Sequence, residues 1–135
     1  MTAINAVYPS ALAAFLSGQI NFPANTVKVL AVRDTYAYSA AHTTLADIPA
    51  GSRVAAANLS GKAVVGGTAT ASPVVLAAGT GDVISALVIY QDTGSEATSR
   101  LIAHVGKRAD LVPISVLTNA TPLTITWPNS TVFTI

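Results

Sequence analysis

The feature that most restricts this chain is a succession of short, β-branched apolar runs, each closed within a few residues by glycine, proline or asparagine. From residue 50 onward the runs cover residues 52–56, 62–65, 68–76, 83–90, 99–105, 114–117, 122–127 and 131–135. Short strands recurring between turn signals belong to sandwiches and barrels rather than to βαβ units. Asn58-Leu59-Ser60-Gly61 separates the first two runs, Gly66-Gly67 ends the second, and Pro73 inside the third marks an edge strand or a bulge. Residues 77–82, with Gly79-Thr80-Gly81 among them, read as a turn. Residues 83–90 form the strongest strand, and residues 99–105 return beside it as a hairpin. The last run reaches Ile135, so the C-terminus is expected to be tied into a sheet.

Upstream of residue 50 the grammar differs. Residues 8–18 predict one short helix, with Ser10 as N-cap, Leu12, Phe15 and Leu16 on one face, and Gly18 as the stop. Its stripe is too narrow for a core, so the helix is expected to lie on a sheet or reach a neighbouring subunit. In residues 26–33, Val27, Val29 and Ala31 alternate with Lys28, Leu30 and Val32, which predicts a strand apolar on most of both faces and central in its sheet. Residues 34–49 read as a long connection anchored by Tyr36 and Tyr38, with a helical turn over 44–48 stopped by Pro49. The expected class is all-β, a two-sheet β-sandwich with one short N-terminal helix. Residues 1–22 are expected to form an N-terminal arm and short helix, and residues 23–135 a single sandwich domain. Uneven strand lengths and long connections suit a sandwich better than a closed barrel.

With 135 residues and no cysteine, the chain has the length of one domain and must stand on packing alone. Charged residues make up 10% of it, against roughly 25% in ordinary soluble domains. A free monomer keeps its surface wet with charge. This surface is expected to use Ser, Thr and Asn instead and to be covered by partners, so obligate or near-obligate assembly follows. The formal net charge is +1, and its spread leaves no footprint for a phosphate backbone, so nucleic acid is not an expected partner. No Lys or Arg precedes Lys28, which removes the charged start of a signal peptide, and the apolar residues 11–16 are too few to span a bilayer. A soluble, non-exported protein without membrane partners is the expectation.

Catalytic, cofactor and metal sites are all expected to be absent. His42 and His104 are the only histidines, far apart, and read as a loop residue and a strand-edge residue. Asp34, Asp47, Asp82, Asp92, Glu96 and Asp110 sit mostly beside turns, where carboxylates bond local amides. No Gly-x-Ser-x-Gly elbow occurs, and Gly79-Thr80-Gly81 opens a strand rather than the helix that a phosphate loop requires. Asn58-Leu59-Ser60, Asn119-Ala120-Thr121 and Asn129-Ser130-Thr131 match the glycosylation pattern only because Ser and Thr abound. Lys107-Arg108 is the densest basic point, either a solvated corner or a partner for a neighbour's carboxylates. Aromatics favour interfaces through large area and one polar handle. The expected interface residues are Tyr8, Phe15, Tyr36, Tyr38, Lys107 and Arg108, while Tyr90 and Trp127 divide evenly between interface and core.

Several phrases in order along the chain carry a resemblance. They are Asn25-Thr26-Val27-Lys28-Val29, Tyr38-Ser39-Ala40-Ala41-His42 with Ala46-Asp47-Ile48-Pro49, and Asn58-Leu59-Ser60-Gly61-Lys62. Val88-Ile89-Tyr90-Gln91-Asp92-Thr93-Gly94, Ser99-Arg100-Leu101-Ile102-Ala103 and Ile125-Thr126-Trp127-Pro128-Asn129 follow. From about Phe15 to the C-terminus the chain resembles a family of small virion proteins encoded in structural-gene modules of tailed bacteriophages. The resemblance implies a structural role in the virion, as a capsid cement or decoration protein or as a tail, baseplate or fibre-attachment component, and no catalytic residues. The expected partners are the major capsid protein or other virion proteins and further copies of the chain, a trimer above all. Assembly would take place in the host cytoplasm, with the segment before Phe22 latching a neighbour. A carbohydrate-binding sandwich contacting host glycans is the reading from another class, resting on one Trp and four Tyr.

Overall fold

The computed structural model describes residues 5–77, 79–108 and 112–135. In chain order the elements begin with β1 (Asn5–Val7), α1 (Pro9–Leu16), β2 (Val27–Val32), β3 (Arg53–Asn58), β4 (Ala63–Val65) and β5 (Thr68–Thr70). They continue with β6 (Val74–Leu76), β7 (Thr80–Ile84), β8 (Ala86–Gln91), β9 (Leu101–Val105), β10 (Val116–Asn119), β11 (Leu123–Ile125) and β12 (Thr131–Thr134). The protein is all-β and sandwich-like, with a single short helix among the described residues.

The principal layer is one antiparallel sheet in the order β1-β9-β8-β2-β3. Every residue of β8 is buried, and β2 and β9 nearly so. That double-sided burial is why Val, Ile, Leu and Ala run through these strands without polar alternation. The remaining strands make three small antiparallel sheets, β12-β5-β4, β11-β6 and β10-β7, rather than one continuous second sheet. Val74, Leu76, Val132 and Phe133 from these pieces join Val29, Ile89 and Ala103 of the large sheet in one core.

The expected helix exists, but its buried face is different. Tyr8 is the N-cap residue and Pro9 starts the helix, with the fixed φ that suits this position. Ser10 therefore lies inside the first turn and caps nothing. Ala11 and Ala14 face the core, Phe15 is half-buried, and Leu16 is 91% exposed. The cause is tertiary. The Tyr8 N–H is bonded to the Ile102 carbonyl at 2.9 Å, so the chain enters the helix directly from β1 and its rotation is set before Leu16 is reached. Gly18, with φ +76°, ends it as expected.

Residues 5–22 form no separate arm. β1 pairs with β9, and Tyr8, Ala11, Ala14, Ile20 and Phe22 belong to the common core; residues 1–4 lie outside the described residues. Two strand readings also change. Pro73 separates β5 from β6, which lie in different sheets, and Thr80-Gly81 opens β7, so the strongest run is split at Ser85 into β7 and β8. The C-terminus is tied down as expected, with β12 on β5 and the Ile135 N–H on the Gly67 carbonyl at 2.8 Å. Of the loop expected over 107–113, residues 109–111 lie outside the described residues.

Candidate interaction surface

Two of the four aromatic interface candidates point inward. Tyr8 is fully buried and Tyr36 nearly so, and their hydroxyls bond each other at 2.7 Å. The Tyr36 hydroxyl also meets Nδ1 of His42 at 2.8 Å. Tyr38, half-buried, packs 5.0 Å from Tyr8 and 5.5 Å from His104, and Tyr36 lies 6.1 Å from His104. This cluster ties residues 34–49 to β9 and to the β1–α1 junction. Tyr8 and Tyr36 thus spend their area inside the chain and offer none to a neighbour. His104 is buried on a strand flanked on both sides, not a strand-edge residue. Burial, more than any neighbour, raises the Tyr8 and Tyr36 hydroxyls above the ordinary phenol range.

The hydroxyl of Tyr36 is the only described partner of that of Tyr8. Tyr36→Phe is expected to cost about 1–3 kcal/mol, since it leaves a buried donor unmade. Adding Tyr8→Phe will restore part of the loss, because the orphan then disappears. Urea denaturation of both single variants and the double variant measures the coupling, and strictly additive losses would refute it.

The other candidates divide. Phe15 is half-buried with its ring 6.0 Å from that of Phe133. Lys107 is half-buried, its N–H donating to Oδ1 of Asn5 at 2.9 Å, while Arg108 is exposed and its N–H donates to the Val112 carbonyl at 2.9 Å. The other described charges are largely occupied within the chain. Arg33 pairs with Asp82, Lys28 with Asp92 at 3.3 Å, and Arg53 with Glu96 at 2.8 Å. Asp47 takes the N–H groups of Thr43 and Thr44, and Asp92 that of Gly94, which in each case holds the carboxyl below its usual range. Asp110 lies outside the described residues. Among the described residues, no three metal-ligating side chains gather, and no helix is long and apolar enough to cross a membrane.

What the surface presents instead is aliphatic. All of β4 is exposed, with Val65 at 70%, and Ile135 stands beside the same turn. Phe15, Phe22, Phe133, Val64 and Ile135 line a depression of about 360 Å³ there. On the β7–β10 pair, Val83 lies opposite Leu117, and both side chains are exposed, Leu117 at 65%. Val75 of β6 is exposed as well. Lys62, the cation nearest β4, is turned back onto the Asn25 carbonyl and leaves that edge unguarded. Reading by composition missed this surface because Ala63-Val64-Val65 has the look of a buried strand. The available signal was the Gly61 and Gly66-Gly67 on either side, which leave the run too short to cross a core. The chain matches no protein-family model and no curated protein.

Proposed function

We propose that the protein is a non-enzymatic structural component that works by packing its small sheets against other protein surfaces, as a capsid cement or decoration protein of a tailed bacteriophage. The observation that carries the packing role is the set of outward aliphatic side chains, Val64 and Val65 with Ile135, and Val83 with Leu117, on strands too short to hide them. Apolar faces of this kind mark interaction sites. The virion setting is supported by the resemblance carried by the phrases between Asn25 and Asn129. A cement protein bridges major capsid subunits, and a body whose first and last described strands, β1 and β12, are both paired into sheets suits a rigid clip. The glycan-binding reading has less behind it, since Tyr8, Tyr36, Tyr90 and Trp127 are buried and offer no platform.

Val65→Lys and Leu117→Lys are expected to change monomer stability by no more than about 0.5 kcal/mol, because neither side chain is packed. The same variants will lose incorporation into particles. Denaturant titration of the purified chain, with quantitation of its copies in particles and a particle reconstruction, checks both statements. Density at the seams between major capsid subunits is the expected result. Density confined to the tail would replace the cement role with a tail role, and a monomer absent from particles would remove the reading.

A further inference from the structure

We infer that β4 is a self-recognition edge, through which two copies of this chain pair antiparallel about a twofold axis at Val64. This pairing rests on the reading that the small sheets pack against protein surfaces, and it makes a second copy the surface that β4 meets. β4 is the edge strand of its sheet, exposed throughout and bonded on one side only, to β5.

The direction of its backbone follows from β5. The Gly67 carbonyl accepts the Ile135 N–H at 2.8 Å and the Ala71 N–H donates to the Ser130 carbonyl at 3.0 Å, both on the β12 side. The Ser72 N–H donates to the Ser60 carbonyl at 2.9 Å on the β4 side. Odd-numbered residues along this stretch therefore address β12, while Thr68 and Thr70 address β4. Val65 and Ala63, their partners, are bonded to β5, and Val64, opposite Ala69, turns its N–H and C=O outward. Among the described residues β4 pairs with no strand but β5, so neither group has a backbone partner. A second β4 laid antiparallel along this edge, Val64 against Val64, closes two hydrogen bonds between those groups. Gly61 and Gly66, both at positive φ, end the ladder within a few residues, and a twofold contact of this kind is complete at two copies.

Side chains and charge select the same occupant. Val64, Ala69 and Phe133 stand in register on one face of the sheet, and all three line the depression of about 360 Å³. Pairing at Val64 sets two such walls side by side. On the other face it brings the exposed Val65 opposite Ala63 of the partner subunit. The strands β12, β5 and β4 contain no charged residue, so a partner that binds through charge has nothing to hold there. Lys62, the nearest cation in sequence, is bonded to the Asn25 carbonyl and comes opposite Gly66 of the partner subunit. The two Lys62 residues then lie about 13 Å apart along the strands, beyond the screening length of about 10 Å. A second copy thus matches the outward backbone groups and the aliphatic faces together, without bringing like charges into contact.

The test uses the full chain, which has no cysteine, so one engineered thiol reports one contact. Sedimentation from micromolar to millimolar concentrations will show monomer and dimer, since so short an edge lies at the weak end of specific association. A bonded pair at the axis sets the two residue-64 Cα atoms about 5.5 Å apart, within disulfide reach. Val64→Cys will therefore cross-link in oxidised glutathione at least tenfold faster than Val75→Cys, whose site on β6 is comparably exposed, 56% against 51%. Val64→Glu and Val64→Lys will each be monomeric alone and will dimerise when mixed, because like charges directly opposite repel and unlike charges attract. Should either fail to fold, amide exchange on the unaltered chain decides. The Val64 amide will exchange more slowly as concentration rises, and the Ala63 amide, already bonded to β5, will not change. The pairing is overturned by a chain monomeric at millimolar concentration, by a trimer as the smallest assembly, by equal cross-linking rates, or by Val64 exchange independent of concentration. A chain that enters particles as a monomer removes the pairing and leaves the packing role. A dimer absent from particles supports the pairing and removes the virion setting.

Discussion

Above pH 10 the protein will lose stability at up to about 4 kcal/mol per pH unit, an effect of three buried phenols acting together. Tyr8, Tyr36 and Tyr90 all have pKa values raised, in each case first by burial. The folded state therefore keeps them protonated at pH values where the unfolded chain, with ordinary phenols near pH 10, has already released its protons. Below that pH both states are neutral and the tyrosines are indifferent to pH. Above it the unfolded chain binds fewer protons, and each tyrosine shifts the balance toward unfolding by about 1.4 kcal/mol per unit. The loss ends only as pH passes the raised folded values. Lys62, with its pKa lowered by burial, acts in the opposite direction, but its contribution stops growing once the unfolded lysine is also neutral. Urea midpoints from pH 9 to 11.5 measure the slope, and Tyr90→Phe should remove one of the three contributions. Phenolate absorbance from all four tyrosines at pH 10 in the folded protein would contradict the burial argument.

Ile89→Ala is expected to cost about 2–5 kcal/mol, enough to unfold a marginal domain. Ile89 is fully buried in β8, the central strand of the large sheet, with Val29 opposite it on one side and Ala103 on the other. Its neighbours are held by ladders on both sides and cannot collapse into the space, so the cavity cost adds to the lost burial. Leu16→Ala is the control, expected to fall within about 0.5 kcal/mol of the unaltered protein because that side chain stands in solvent. Equal losses for the two substitutions, read from guanidinium denaturation, would mean that the core is not where the five-stranded sheet places it.

That pair also marks the limit of what the chain's letters disclose. Ile89 sits in a run of apolar β-branched and aromatic residues, Val88-Ile89-Tyr90, and its burial in a strand was legible because a strand covered on both faces has no reason to alternate. Leu16 follows a helical period that put it on the inner face, yet the structure turns it outward. Helical period fixes which residues share a face, and only the bond from Tyr8 to Ile102 decides which face meets the sheet.

The candidate interaction surface divides in the same way. Scarcity of charge raised the expectation of partners, and the aromatics were the natural candidates by residue type. Tyr8 and Tyr36 instead close a cluster with His42 and His104, residues distant in sequence that three separate segments bring together. The exposed role passes to Val65, Val83 and Leu117, whose composition is that of core strands.

By itself the sequence determined the all-β class, most strand positions, the single helix and the tethered C-terminus, since period, turn residues and proline act within a few residues of where they stand. The tertiary structure alone decided the division of the second layer into three small sheets, the absorption of β1 and α1 into the core, and the exposure of the aliphatic faces. Those depend on which strands pair across long separations, and no local propensity encodes a partner 66 residues away, as β5 and β12 illustrate in the pairing of Thr68 with Thr134.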